Sequence, residues 1–242
     1  MNSLNEIEDQ QRRLLLKVLA LSLVSGSARA SGLFGSVPKQ LPEGRSIYRI
    51  DGTALVNGQP ATEDTKVVPG DTIETGKDSQ FIFVLGGHAM LMRSQSKIAI
   101  KANDKPVISD LSLVRGKLLS VSRGARMKIK TPVAVMGIRG TGWYAEAEPD
   151  LTYFCTCYGK TDVTARNDPT SRVSIKSNHH DQPLYILGDA ETGQSIVDGP
   201  FINHTDEELA LIETIVGRTL NLPPIVGQKT GENKTISCVV FM

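Results

Sequence analysis

The sequence predicts an all-β domain followed by one C-terminal helix. Short alternating or apolar segments recur from Arg45 to Val163, and turn residues interrupt them at spacings of about 8 to 12 residues. A helical period of apolar residues occurs only later, in "NHTDEELALIETIVGR" at residues 203–218. We therefore predict a β domain over residues 45–204, a helix over 205–217 and an irregular tail over 218–242.

The first thirty residues form a predicted signal peptide. Two arginines precede an apolar run from Leu14 to Val24, and "ARA" at residues 28–30 has the small-x-small pattern of a signal peptidase site. The run is shorter than the roughly 20 residues that span a bilayer, so we expect cleavage after Ala30 and no transmembrane anchor. "RRLLLK" also resembles a twin-arginine export signal, and the Sec route stays open as the alternative. Both routes predict a periplasmic protein, in which residues 31–44 form a linker.

The charge balance argues against nucleic acid as a partner. Removal of residues 1–30 leaves 23 basic and 23 acidic residues, so the mature chain is formally neutral. A nucleic-acid-binding domain usually carries a basic surface, because the phosphate backbone dominates its affinity.

Turn residues mark the strand connections in chain order. Asn57-Gly58 separates two short strand-like runs and is typical of a type I′ hairpin turn, in which both central residues have positive φ. Pro69-Gly70-Asp71 and Gly86-Gly87 predict the next two turns. The strand-like series continues through "KIAIKA", "DLSLVRGKLLSV", "RMKIKTPVAV", "GWYAEAE" and "LTYFCTCYGKTDV".

The predicted helix has both a start and a stop signal. Thr205 and Glu208 have the spacing of a capping box, and Gly217 is suited to end the helix. Apolar residues at helical spacing form one face: Leu209, Ile212, Ile215 and Val216. We expect this face to pack on the β domain.

The stretch "TPVAVMGIRGTGWY", from Thr131 to Tyr144, admits two interpretations. Glycines beside an arginine are found in phosphate-binding loops, but such loops lead into a helix, whereas Trp143 to Glu148 alternates like a strand. A bend or bulge in a β-strand is the better interpretation. Arg139 would then donate hydrogen bonds to carbonyl groups that the bend leaves unpaired.

The same stretch resembles the hallmark of the FecR domain, named for an iron-dicitrate regulator of bacterial envelopes. That hallmark is a threonine-proline pair, a small residue and a glycine-x-arginine-glycine-threonine run that ends in an aromatic residue. The upstream segments "DGTALVNGQPA", "VVPGDTIETGKDSQFIFVLGG" and "LSLVRGKLLSV" follow in that family's order and spacing. The resemblance covers residues 45–163.

The resemblance to FecR implies a solenoid-like or sandwich-like body of short stacked strands outside the cytoplasmic membrane. In the founding regulators this body receives a signal from an outer-membrane receptor, and a cytoplasmic N-terminal domain holds a sigma factor. Only eleven residues precede the arginine pair here, so we expect no such domain. The resemblance thus predicts a periplasmic binding or sensing module, whose partner is an unidentified envelope protein or small ligand.

Two cysteines and two histidines form a candidate metal site. Cys155 and Cys157 are two residues apart, so on a strand both sulfur atoms lie on one face. His179 and His180 follow in a probable turn, which could present both imidazoles. Two thiolates and two imidazoles suit tetrahedral zinc, with copper or iron as less favoured occupants.

Other interpretations of these residues stay open. The cysteines could be small core residues, or one could form a disulfide with Cys238. A metal-dependent redox or hydrolytic enzyme is the alternative function, although the chain has no G-x-S-x-G or H-E-x-x-H motif. We expect the remaining histidines, His88 and His204, at the surface.

Overall fold

The computed structural model describes residues 39–101, 108–122 and 126–223. The predicted signal peptide, residues 31–38 of the linker and residues 224–242 of the tail lie outside the described residues. Strands make up 50% of the described residues and helix 6%, which confirms the predicted all-β class with one C-terminal helix. None of the helices described is long and apolar enough to cross a membrane.

The described residues contain strands β1 to β14 and one α-helix, α1. The strands are β1 Ile47–Asp51, β2 Ala54–Val56, β3 Gln59–Pro60, β4 Thr72–Thr75, β5 Gln80–Leu85, β6 His88–Met92, β7 Lys97–Ile100, β8 Asp110–Val121, β9 Arg126–Lys130, β10 Ala134–Ala147, β11 Leu151–Ala165, β12 Arg172–Ser177, β13 Leu184–Leu187 and β14 Ile196–Asp198, and α1 is Asp206–Ile215.

All fourteen strands share one hydrogen-bonded sheet, whose longest path is β14-β13-β11-β10-β9-β8-β7-β4-β2-β3. Three long strands, β8, β10 and β11, each pair with different neighbours along their length. The first part of β10 pairs with β9 and its second part with β8, while β11 pairs along the other edge of β10. β11 in turn pairs with β13 through residues 151–154 and with β12 through residues 159–164. β10 carries most of the glycine-rich stretch from Thr131 to Tyr144, and it therefore lies at the centre of the sheet, between β8, β9 and β11.

Successive residues of β10 and β11 alternate between two hydrophobic cores. Trp143 and Phe154 belong to the larger core and stack with ring centroids 6.2 Å apart. Tyr144 and Cys155 point to the opposite face and belong to a second core, which also contains the apolar residues of α1. The helix therefore covers the face of the sheet that carries the two cysteines.

The predicted local signals at both ends of the domain are confirmed. Asn57 and Gly58 have φ values of 53° and 78° and connect β2 to β3 as a tight hairpin. The Thr205 side chain accepts a hydrogen bond from the Glu208 backbone N–H, and the Glu208 carboxylate accepts one from the Thr205 N–H. α1 therefore begins at the predicted capping box.

Arg139 does not have the predicted role in the glycine-rich stretch. Its side chain is exposed, because the bulged strand turns it to solvent. Thr141 supplies the side-chain hydrogen bond instead: its buried hydroxyl lies 2.8 Å from the Arg139 carbonyl and 2.9 Å from the Lys160 carbonyl. Gly142 is required for packing, since a Cβ there would lie 2.3 Å from the Tyr158 ring.

This assignment predicts different effects for two neighbouring substitutions. Thr141→Val should lower the free energy of unfolding by about 1 to 3 kcal/mol, because it removes a buried hydroxyl that donates to two part-buried carbonyl groups. Arg139→Ala should change it by less than about 0.5 kcal/mol, as for other exposed positions. Denaturant unfolding of the two variants and the wild type measures both changes in the free energy of unfolding. A larger loss in Arg139→Ala than in Thr141→Val would contradict the assignment.

Candidate metal centre

Cys155 and Cys157 lie on one face of β11, beneath α1. Both are fully buried, with 0% exposure, and both sulfur atoms are unbridged. The proposed partner of a disulfide, Cys238, lies outside the described residues. The i, i+2 spacing on a strand accounts for their common orientation.

His180 reaches the cysteines from the bend that follows β12. Its φ of 53° is unusual for a residue other than glycine and redirects the chain at this position. Its backbone N–H donates to the Cys157 carbonyl at 2.8 Å, which fixes the bend against β11. The imidazole is 1% exposed, and its Nδ1 lies 3.4 Å from the Cys155 Sγ.

His204 reaches the same point from the residue before the N-cap of α1. Its ring stacks on Tyr144 with a centroid separation of 4.5 Å and contacts Phe201 at 4.6 Å. It is 3% exposed, and its Nε2 lies 3.4 Å from the Cys157 Sγ. Three separate segments of the chain therefore supply one buried cluster.

The distances within this cluster match those of a tetrahedral metal site. The Nδ1 of His180 lies 3.2 Å from the Nε2 of His204, and all four ligand atoms lie within 4.8 Å of one another. For zinc, bond lengths of about 2.3 Å to sulfur and 2.05 Å to nitrogen give edges of about 3.6 Å for S···N and 3.3 Å for N···N. The observed separations of 3.4, 3.4 and 3.2 Å lie close to these edges.

Outer hydrogen bonds fix which nitrogen of each imidazole faces the cluster. The Nε2 of His180 lies 3.0 Å from Asp206 Oδ1, and the Nδ1 of His204 lies 2.7 Å from the Ile202 carbonyl oxygen. These oxygens only accept, so the imidazole nitrogens beside them carry the hydrogen. In the neutral rings the two nitrogens that face each other are then both acceptors. Each of them lies 3.4 Å from a cysteine sulfur, so either a thiol S–H or a shared metal ion can satisfy it. Metal-binding histidines commonly have such outer partners.

The cluster also favours negative charge on one sulfur. Burial opposes ionisation of Cys155, but hydrogen bonds with Cys157 and both histidines outweigh it and hold the pKa of Cys155 well below its ordinary value. Burial and the neighbouring Cys155 raise the pKa of Cys157 well above the ordinary value. Of the two thiols, Cys155 is therefore the one that more readily supplies a thiolate to a cation.

The structure brings together three of the four predicted ligands and adds His204. His179 points away from the sulfur atoms, and its Nε2 lies 2.8 Å from Asp206 Oδ2 while its Nδ1 lies 2.7 Å from the Pro223 carbonyl oxygen. His88 and His204 are 2% and 3% exposed, so the expectation that they lie at the surface was wrong. The burial of His204 could have been predicted from its position beside the helix cap, because that helix was expected to pack on the domain.

Comparison with known proteins identifies the central part of the sheet. Residues 71–156 match the family described as "FecR protein". This match confirms the predicted resemblance to the FecR domain over these residues. The FecR match includes Cys155 and ends before Cys157, His180 and His204, so it implies nothing about this four-residue cluster as a whole.

Solved structures give a weaker likeness. Two crystal structures of a candidate anti-sigma factor from Parabacteroides distasonis ATCC 8503, at 2.50 and 1.65 Å resolution, align with 15% and 13% identity. Both have a TM-score of 0.43, and the alignment covers 53% of this chain and 58% of each of those chains. The alignment therefore spans less than two thirds of those proteins, and we draw no functional conclusion from them. No curated protein sequence matches the chain.

Proposed function

We propose that this chain is a periplasmic, non-catalytic signal-sensing module of the FecR type, with a metal centre formed by Cys155, Cys157, His180 and His204. The observation that carries the metal centre is the convergence of these four buried side chains from three segments at tetrahedral spacing. The FecR match supports the sensing role, since that family is typically associated with the cell envelope. The predicted signal peptide supports export, and the partner is an envelope protein of unknown identity.

Zinc is the proposed occupant. Two thiolates and two imidazoles form a common structural zinc set, and zinc accepts the tetrahedral arrangement without a geometric penalty. Copper(I) also favours thiolates, and iron accepts both ligand types, so these metals are the less favoured alternatives. Twin-arginine export would allow loading before the thiols meet an oxidising compartment.

The ligand geometry favours a structural centre over a catalytic one. Four protein ligands complete a tetrahedron, whereas catalytic zinc sites keep one position for water or substrate. The four ligands have exposures between 0% and 3%, which leaves little access for a substrate. The alternative function, a metal-dependent redox or hydrolytic enzyme, would require a ligand to leave and the cover of α1 to open.

Cobalt(II) substitution tests the ligand set directly. We expect the wild type to show the visible absorption of tetrahedral cobalt and a thiolate-to-cobalt charge-transfer band in the near ultraviolet. Cys155→Ser should weaken the charge-transfer band, and His204→Ala should alter or abolish the tetrahedral bands.

His179→Ala is the matched control for His204→Ala. It removes a buried imidazole from the same region but no proposed ligand, so its cobalt spectrum should retain the tetrahedral pattern. A spectrum that is lost in His179→Ala and kept in His204→Ala would contradict the assignment. Wild-type protein without any cobalt–thiolate band would contradict the metal centre itself.

A further inference from the structure

Resting on the proposed metal centre, we propose that Asp206 is a positioning residue that links the centre to helix α1, so that metal binding and docking of the helix stabilise each other. Asp206 touches no proposed metal ligand atom. It acts through the outer nitrogen of His180 and is also the first residue of α1. Metal binding would therefore be reported to a partner as a change in how firmly this helix docks on the sheet.

The Asp206 carboxylate holds two imidazoles at once. Its Oδ1 lies 3.0 Å from the Nε2 of His180, and its Oδ2 lies 2.8 Å from the Nε2 of His179. A carboxylate at the outer nitrogen of a ligating histidine fixes the ring and makes its inner nitrogen a stronger ligand.

The first turn of α1 is connected to the centre on both sides of its N-cap. His204 precedes Thr205 and contributes a proposed ligand, while Asp206 follows Thr205 and holds His180. A metal that joins His180 and His204 therefore closes a ring through the bend after β12 and the start of the helix. Loss of the metal breaks the link between His180 and His204 and so opens that ring at the first turn of α1.

The helix depends on contacts outside itself. Isolated helices shorter than about 12 residues are marginal in water, and α1 has only 10 residues. Leu209, Ile212 and Ile215 bury its apolar face against the second core, and Glu213 holds its far end through Tyr158 and Arg218. At the near end the metal centre acts beside Arg93, whose guanidinium lies 2.8 Å from the Glu208 carboxylate and 2.7 Å from the Asn203 carbonyl oxygen. The effect of the metal should therefore decrease along the helix.

Zinc affinity tests the role of Asp206 in the centre. We expect Asp206→Asn to weaken zinc binding by about 10- to 100-fold, the usual effect of losing an outer-shell partner. Glu207→Gln is the matched control, because it also removes an acidic charge from the first turn but lies exposed beside the centre. It should keep the affinity within about twofold. Competition with a chromophoric chelator on the full mature chain gives all three constants.

Hydrogen exchange tests the link to the helix. Removal of zinc from the wild type should speed exchange of the Leu209 amide, which donates to the Thr205 carbonyl, by about tenfold or more, and the Val216 amide by less. Coupling between two binding events is reciprocal. Ile215→Ala, which loosens the helix at its far end, should therefore also weaken zinc binding, although it touches no ligand.

The outcomes separate this inference from the proposed function. Wild-type protein that binds no zinc would overturn the metal centre, and the inference with it. Zinc binding with equal affinities for Asp206→Asn and Glu207→Gln would overturn the role of Asp206 and leave the centre standing. Equal exchange of the α1 amides with and without zinc would overturn the link to the helix.

Discussion

Removal of zinc should lower the free energy of unfolding by about 4 kcal/mol, if free zinc exceeds its dissociation constant a thousandfold before removal. The folded state loses the binding energy of the ion, and this energy includes the contacts of the ion with the facing nitrogens of His180 and His204.

Thermal unfolding followed by circular dichroism, with added zinc and with chelator, measures this loss. The Cys155→Ser variant is the control, because chelator should hardly change its melting once the centre is lost. Its own stability should resemble that of the metal-free wild type. Identical melting of the wild type in zinc and in chelator would contradict a structural metal centre.

Phe154→Ala should lower the free energy of unfolding by about 3 to 5 kcal/mol. Phe154 is fully buried in the larger core, stacks on Trp143 and lies on the central strand β11. Truncation to alanine leaves a cavity that the paired strands cannot close. The neighbouring residue Cys155 points to the opposite face, so the variant should still bind zinc under conditions in which it folds.

Denaturant unfolding with zinc present measures the cost of Phe154→Ala. Val114→Ala is the matched control: it also shortens an apolar side chain on a long central strand, β8, but Val114 is 42% exposed. Its effect should stay within about 0.5 kcal/mol. Equal losses in the two variants would contradict the assignment of Phe154 to the core.

Local sequence signals predicted the elements of the fold well. The Asn57-Gly58 hairpin and the capping box at Thr205 depend on backbone conformations that few other residue pairs favour, so both could be read without tertiary information. The role of Arg139 could not be predicted in this way, because a bulge decides which side chain faces the sheet. An arginine and a threonine two residues apart were both able to satisfy the carbonyl groups, and the register selected Thr141.

The metal site was predictable only where its residues share one strand. The spacing of Cys155 and Cys157 fixes their common face, whichever neighbours the strand has. The choice between His179 and His180 depends on a single positive φ in the bend, and His204 joins the cluster only because α1 packs over β11. Ligands that meet through packing of distant segments leave no fixed spacing in the sequence.

Metal analysis of untagged mature protein from the periplasmic fraction tests the central claim most directly. The account predicts about one zinc per chain, retained in His179→Ala and lost in both Cys155→Ser and His204→Ala. Thiol titration under native conditions should find Cys155 and Cys157 protected until a chelator is added. Metal-free protein whose two thiols react equally with and without chelator would contradict the account.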